Sequence, residues 1–190
     1  MKSKEEKTKK PFINPLILKA KQGETRAFDV LIRPILGSLF SLAKRLFPKA
    51  PEDLLQYTLK KAWENIGSFR GDCSFKTWII KILYNSSKEP SRFWINKNKE
   101  IENLYLREDI PERLELGPLF RITTMEILKR VEEAMERLPK SLRTALHLRA
   151  VEGMTYKEIS SVLGITEATA RVFVVRARKR LIERLGDYIQ

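Results

Sequence analysis

Between Thr166 and Leu185 six cations crowd one stretch of chain. They are Arg171, Arg176, Arg178, Lys179, Arg180 and Arg184, set against two glutamates, Glu167 and Glu183, for a net charge of +4. At about 100° per residue, Ala170, Val174, Ala177 and Leu181 fall on one side of a helix. Ala168, Arg171, Val172, Val175, Arg176 and Lys179 fall on the other, with Arg178 and Arg180 flanking them. Guanidinium groups so placed can donate in pairs to guanine O6 and N7, or clamp phosphates. Arg178 and Lys179 suit the phosphate backbone, and Val172 and Val175 offer apolar contact to thymine methyls. An ordinary solvated helix mixes charge signs, whereas this one is almost uniformly positive on its polar face.

The elements that must carry this face are legible just upstream. Thr155-Tyr156-Lys157-Glu158 has the spacing of a capping box, in which hydroxyl and carboxylate satisfy each other's backbone N–H. A short helix then turns Ile159, Val162 and Leu163 inward, and Gly164 suits a left-handed cap. Thr166 can cap the next helix, with Glu167 favourable and Thr169 also in its first turn. Two short helices joined around a glycine are a helix-turn-helix, whose second helix enters a major groove. Tyr156 and Lys157, at the start of the first helix, fall where phosphates would lie.

The whole chain points to a polyanionic partner. It has 190 residues, a net charge of +13 and a pI near 9.9, which suits a nucleic acid. The charge is uneven: +3 over residues 1–10, +7 over 11–95, −1 over 96–121 and +4 over 122–190. Two basic blocks flank a slightly acidic connector. A single cysteine, Cys73, leaves no intramolecular disulfide and no cysteine-rich zinc site. The lone His147 lies on an apolar helix, where packing is the ordinary role. No apolar run is long enough to cross a membrane, and the charged start lacks a secretory signal's apolar stretch. A cytoplasmic protein without cofactor or metal is expected.

The periodicity is helical almost throughout. Asn14-Pro15 reads as a cap followed by proline at the first helical position, and Gly23 ends that helix. Glu24 to Phe47 is an apolar-striped helix that Pro34 should kink or divide. Glu52 to Ile66 is amphipathic, with Leu54, Leu55, Leu59, Ala62, Trp63 and Ile66 inward. Gly67 to Cys73 is a loop, and Ser74 starts a helix that runs toward Asn85 until Pro90 stops it. Residues from about Lys88 to Arg121 lose periodicity, apart from a helical suggestion around Glu100 to Leu106. Further helices follow, one capped by Thr123 or Thr124 and ending at Leu138-Pro139, one capped by Ser141 and ending at Gly153. The expected fold is all-α: a basic tail (1–10), a helical domain (11–95), a linker (96–121) and a helix-turn-helix domain (122–190).

These residues together resemble a bacterial RNA polymerase sigma factor of the compact, two-domain extracytoplasmic-function group. The family's second conserved region is matched by Glu52, Asp53, Leu54, Leu55, Gln56, Ala62, Trp63, Phe69, Gly71, Phe75, Thr77, Trp78 and Asn85 at the family spacing. The fourth conserved region is matched by the run from Leu138 to Arg178. The resemblance covers about residues 11–95 and 122–190.

The resemblance implies a division of labour. Asp53, Leu54, Gln56 and Lys60 would dock on the clamp helices of the largest subunit of core RNA polymerase, and the second domain would approach the β flap. Phe69, Arg70, Gly71, Ser74, Lys76, Thr77, Trp78, Lys81 and Asn85 would hold the opened −10 promoter element. Opened bases need flat faces to stack on, and their phosphates need cations. The reader helix would bind the −35 element as duplex through Thr166, Thr169, Arg171, Val172, Val175, Arg176, Arg178 and Lys179, with Tyr156 and Lys157 beside them. Family members are often controlled by an anti-sigma protein, which is a further expected partner. The chain itself would catalyse nothing. Four features depart from the family pattern: Val172 and Phe173 where a polar or basic pair is usual, Tyr57 after the glutamine, and Pro90 at the end of the second region.

Two other functions fit the residues less well. A response-regulator-type protein would need alternating strands and an acidic pocket in residues 11–95, which are helical and basic. A recombinase would need a nucleophile among arginines or clustered carboxylates, and the only adjacent pair there is Glu52 and Asp53.

Overall fold

The computed structural model describes residues 14–89 and 129–186. Among them there is no strand, and the fold is all-α. The tail 1–10, the linker 96–121 with its helical suggestion, and the caps at Thr123 and Thr124 lie outside the described residues.

The first helical group contains α1 (Pro15–Lys21), α2 (Thr25–Ile32), α3 (Leu36–Leu46), α4 (Pro51–Glu64) and α5 (Phe75–Ser86). Asn14 caps α1 by accepting from Leu16 N at 2.9 Å. Pro34 divides the long apolar stretch as expected: a single 3-10 turn, Arg33–Ile35, separates α2 from α3. Proline lacks the N–H that a continuous helix needs there, and its ring crowds the preceding turn. A second 3-10 turn, Ile66–Ser68, takes up part of the stretch expected as loop. Ser74 caps α5 by accepting from Thr77 N at 3.0 Å.

The second group has helical residues 129–136, here α6, followed by α7 (Lys140–Ala150), α8 (Tyr156–Leu163) and α9 (Glu167–Gly186). One expected cap is corrected here. Pro139, not Ser141, occupies the N-cap of α7, and no side chain satisfies that end. Proline at ψ 139° already turns the chain into the helix, so Ser141 falls inside the first turn.

Each group buries the stripe that its periodicity marks. Leu39, Leu42, Leu54, Ile79, Ile80 and Leu83 are sealed in the first, and Ala145, Leu148, Ile159, Val162 and Val174 in the second. Side chains of this size contribute roughly 1.5–3 kcal/mol each when fully buried. The groups are also in contact: α5 packs on α8, and α3 on α7. That packing sets the surroundings of Lys76, Thr77 and Lys81 in the first group.

Candidate nucleic-acid interface

The helix-turn-helix is built as its residues require. Thr155 Oγ1 accepts from Glu158 N at 3.2 Å, and Thr155 N donates to Glu158 Oε2 at 2.9 Å. This completes the capping box of α8. Gly164 stands at φ 70°, ψ 38°, the left-handed region where a β-carbon is disfavoured. Its N–H and that of Ile165 return to Ser160 O at 2.9 and 3.1 Å. Thr166 Oγ1 accepts from Thr169 N at 3.1 Å and caps α9. Rigid caps at both ends of the turn hold α9 at a set angle to α8.

On α9, Ala170, Val174 and Ala177 are fully buried, while Arg171, Val172, Val175, Arg176, Arg178 and Lys179 face solvent. The reader face therefore has the composition and the exposure expected of it. Val172 and Val175 are large apolar side chains left 41 % and 56 % exposed in the middle of the cations. Phe173 is half-buried and packs inward against the core. Tyr156 is half-buried at the start of α8, and the guanidinium carbons of Arg171 and Arg149 lie 4.7 and 5.0 Å from its ring centroid. Arg149 is tied down by donating to Met154 O at 2.8 Å. Arg171 is left over an aromatic ring, a favourable cation–π placement. It makes a long, exposed ion pair with Glu167 at 3.9 Å.

The second candidate surface is the loop before α5 and the start of that helix. Gly71 takes φ 81° there, a turn that favours glycine. Arg70, Ser74, Lys81 and Asn85 are exposed, and Lys76 and Trp78 are half-buried. Phe69 needs correcting as a stacking surface, because it is only 4 % exposed. Its ring meets Phe75 at 5.8 Å and Trp78 at 5.4 Å, and Phe75 in turn meets Phe28 at 6.3 Å. Phe69 anchors the loop from within: burying an aromatic ring releases far more than exposing it to a base would retain. Its carbonyl also accepts from Lys21 Nζ at 2.6 Å.

Thr77 is buried as well, but for a different reason. Thr77 Oγ1 donates to Glu158 Oε1 across the group boundary at 2.9 Å. Lys81 Nζ donates to Ser161 Oγ at 3.2 Å. A third contact across the boundary is made by Glu152, whose side chain is 1 % exposed. Glu152 Oε2 accepts from Ser38 Oγ at 2.5 Å and pairs with Lys76 Nζ at 2.7 Å. Its other oxygen is 3.2 Å from His147 Nε2, off the direction of a good hydrogen bond. Burial pushes the Glu152 carboxyl up, but His147, Lys76 and Ser38 outweigh it and hold the group at about 2. Glu158 is also held low, by the Thr155 N–H first, against its partial burial, and with help from Thr77.

The third candidate surface is α4. Asp53 and Gln56 are half-exposed and Lys60 is exposed, so the three share an accessible side of the helix. Leu54 does not join them. It is 0 % exposed and belongs to the core, which corrects its expected role as a docking contact. Asp53 and Leu54 are adjacent, and 100° of helical rotation carries the second inward. Tyr57, the departure noted above, donates to Glu89 Oε2 at 2.8 Å, and Lys61 pairs with the same carboxylate. These bonds tie the middle of α4 to the end of α5.

Several residues at these surfaces had no sequence signal for the part they take. Glu152, Ser38 and Ser161 are unremarkable singly, and Ser38 is 114 positions from its partner. Glu158 was readable as a cap, not as a bridge to Thr77. Among the described residues no cluster of His, Cys, Asp or Glu could hold a metal, and no helix is long and apolar enough to cross a membrane.

Comparison with known proteins agrees with this geometry. Sigma-70 region 2 matches residues 31–92, and sigma-70 region 4 matches residues 128–181. RNA polymerase sigma-H factor of Pseudomonas aeruginosa is 32 % identical over 189 residues, covering 92 % of this chain and 94 % of that protein. ECF RNA polymerase sigma-E factor of Salmonella typhimurium is 28 % identical over 184 residues, covering 92 % and 95 %. Among solved structures, the sigma factor RpoE of Bartonella quintana, in complex with the anti-sigma factor NepR, superposes with a TM-score of 0.63 at 27 % identity, covering 84 % of this chain and 96 % of that one. With a basic helix exposed beside its capped turn and both sigma regions matched in order, the chain belongs to the extracytoplasmic-function group of RNA polymerase sigma factors and directs promoter-specific transcription initiation.

Proposed function

We propose the following assignment of that activity to residues. The α9 face of Arg171, Val172, Val175 and Arg176 reads the −35 element in the major groove, and Lys157, Arg178 and Lys179 hold the flanking phosphates. Tyr156 supports Arg171 from below. Arg70, Gly71, Ser74, Lys76, Thr77, Trp78, Lys81 and Asn85 handle the opened −10 strand, with Phe69 as the internal anchor of the loop. Asp53, Gln56 and Lys60 on α4 orient the chain on the clamp helices of core polymerase. Residues 11–95 and 122–190 act as the two working domains, and residues 96–121 connect them. The protein works in the bacterial cytoplasm and is subject to an anti-sigma partner, as the relative solved with NepR is.

The observation that carries the reading is the exposure pattern of α9: alanine and valine sealed on one side, arginine and bare valine on the other. Val172 and Val175, three positions apart, form one small apolar surface among the cations, as contact with thymine methyls requires. The test is a pull-down of purified core RNA polymerase by the full chain, wild type beside Asp53→Ala/Gln56→Ala. Stoichiometric binding by the wild type and its loss in the double variant are expected. Binding that survives the double substitution removes α4 from the docking surface.

A further inference from the structure

We propose that Arg149, Tyr156 and Arg171 form one stack that sets Arg171 before DNA arrives, and that this stack determines how sharply Arg171 discriminates its base pair. Arg171 makes the contact. Tyr156 and Arg149 are positioning residues that act through it. The proposal rests on the reading of the α9 face as the −35 contact.

The stack draws on three helices. Arg149 stands in the last turn of α7, Tyr156 is the first residue of α8, and Arg171 lies in the second turn of α9. The guanidinium carbons of Arg171 and Arg149 lie over the tyrosine ring, 4.7 and 5.0 Å from its centroid. Two of the three members are fixed by other bonds. Arg149 donates to Met154 O at 2.8 Å, across the turn between α7 and α8. Tyr156 follows directly on the capping box of Thr155 and Glu158, and its half-buried ring packs against the core. Arg171 is the exposed member, with 62 % of its side chain open to solvent.

The chemistry gives the ring its role. Two guanidinium groups repel each other, and the negative face of the ring draws both. Glu167, one turn earlier, adds a pair to Arg171 at 3.9 Å, too long and exposed to fix it alone. An exposed arginine has many rotamers, and ordering them opposes binding. The ring removes part of that cost and narrows the directions in which the planar fork points. A fork held in one direction can donate in pairs to guanine O6 and N7, whereas a free one turns to any nearby phosphate. The gain falls on discrimination more than on overall affinity. Arg176 provides an internal control: it is exposed on α9, with no ring contact among the described residues.

The test uses the full chain bound to core RNA polymerase. This complex selects a duplex from a randomised pool, and each G·C pair of that duplex is then replaced in turn by A·T. Anisotropy in excess unlabelled competitor gives the loss of affinity at each position, and a fluorescein-labelled oligothymidylate serves as the single-strand probe. Arg171→Ala marks the pair that Arg171 reads, as the position where discrimination disappears. Tyr156→Leu should lower discrimination at that pair about fivefold and leave the other pairs and the single-strand probe unchanged. Tyr156→Phe, which keeps the ring, should keep the discrimination. Added to Arg171→Ala, Tyr156→Leu should cost nothing more at that pair, whereas its effect should multiply with that of Arg176→Ala. Arg149→Leu should act at the same pair by less, and it carries the test if the thermal melt of Tyr156→Leu falls. Uniform weakening by Arg149→Leu with a shallower salt slope would make Arg149 a phosphate contact and remove it from the stack. Equal weakening of every duplex by Tyr156→Leu, or an effect that multiplies with Arg171→Ala, overturns the positioning role. Discrimination unchanged at every pair in Arg171→Ala, or a pool that yields no preferred duplex, overturns instead the −35 reading on which the proposal rests.

Discussion

The two surfaces proposed to meet nucleic acid differ in how far they are covered. The α9 face is open: Arg171, Val172, Val175 and Arg176 are exposed, and the Arg171–Glu167 and Lys179–Glu183 ion pairs are long, at 3.9 Å. The α5 face is covered in part: Thr77 is buried and Lys76 is paired with a carboxylate 1 % exposed, while Arg70, Ser74, Lys81 and Asn85 stay exposed. The duplex reader is finished locally, by two caps and a glycine turn. The single-strand face depends on where another part of the chain lies. A surface for duplex DNA can afford to wait in the open.

Phe69 gives the largest expected effect. As the internal anchor of the −10 loop, Phe69→Ala should cost about 3–5 kcal/mol of folding stability, read from denaturant unfolding. A stacking platform would behave otherwise, sparing stability and weakening only oligonucleotide binding. Arg171→Ala comes next: it should weaken binding of a −35 duplex by about 1–3 kcal/mol and leave the single-strand probe unaffected. Equal losses on both probes would erase the distinction between the faces. Gly164→Ala places a β-carbon in the left-handed turn and should cost roughly 1–2 kcal/mol in a thermal melt. A melt unchanged from wild type would mean the turn relaxes without strain.

Acid gives the smallest effect. The carboxyl of Glu152 is held at about 2, so its contacts are fully present above the usual carboxylate range and are lost only as pH falls toward 2. The distance between groups should therefore stay flat from neutral pH down to about pH 5. An opening within that range would assign closure to some other group.

Nearly all of the reader was legible in the residues. The capping box, Gly164, the Thr166 cap and the sides of α9 are interactions between positions four or fewer apart, and spacing alone expresses them. The division of the long helix at Pro34 was legible for the same reason. Where local reasoning failed, burial was set from outside the segment. Leu54 is adjacent to Asp53, yet the core takes one and leaves the other half-exposed. Phe69 looked like a platform until Phe75, Trp78 and Phe28 closed around it. Ser141 lost the cap because Pro139 had already turned the chain.

Helix type, caps and charged face were thus inherent in the chain, since each depends on neighbours along one helix. The partnership of Glu152 with Ser38 and Lys76, and of Glu158 with Thr77, was not. Those pairs are separated by 114 and 81 positions for the two hydroxyls. Only the packing of α5 on α8 and of α3 on α7 brings them within bonding distance. A carboxylate's preference for a cation is encoded in its type, but which cation it meets is decided by the burial that draws two helices together.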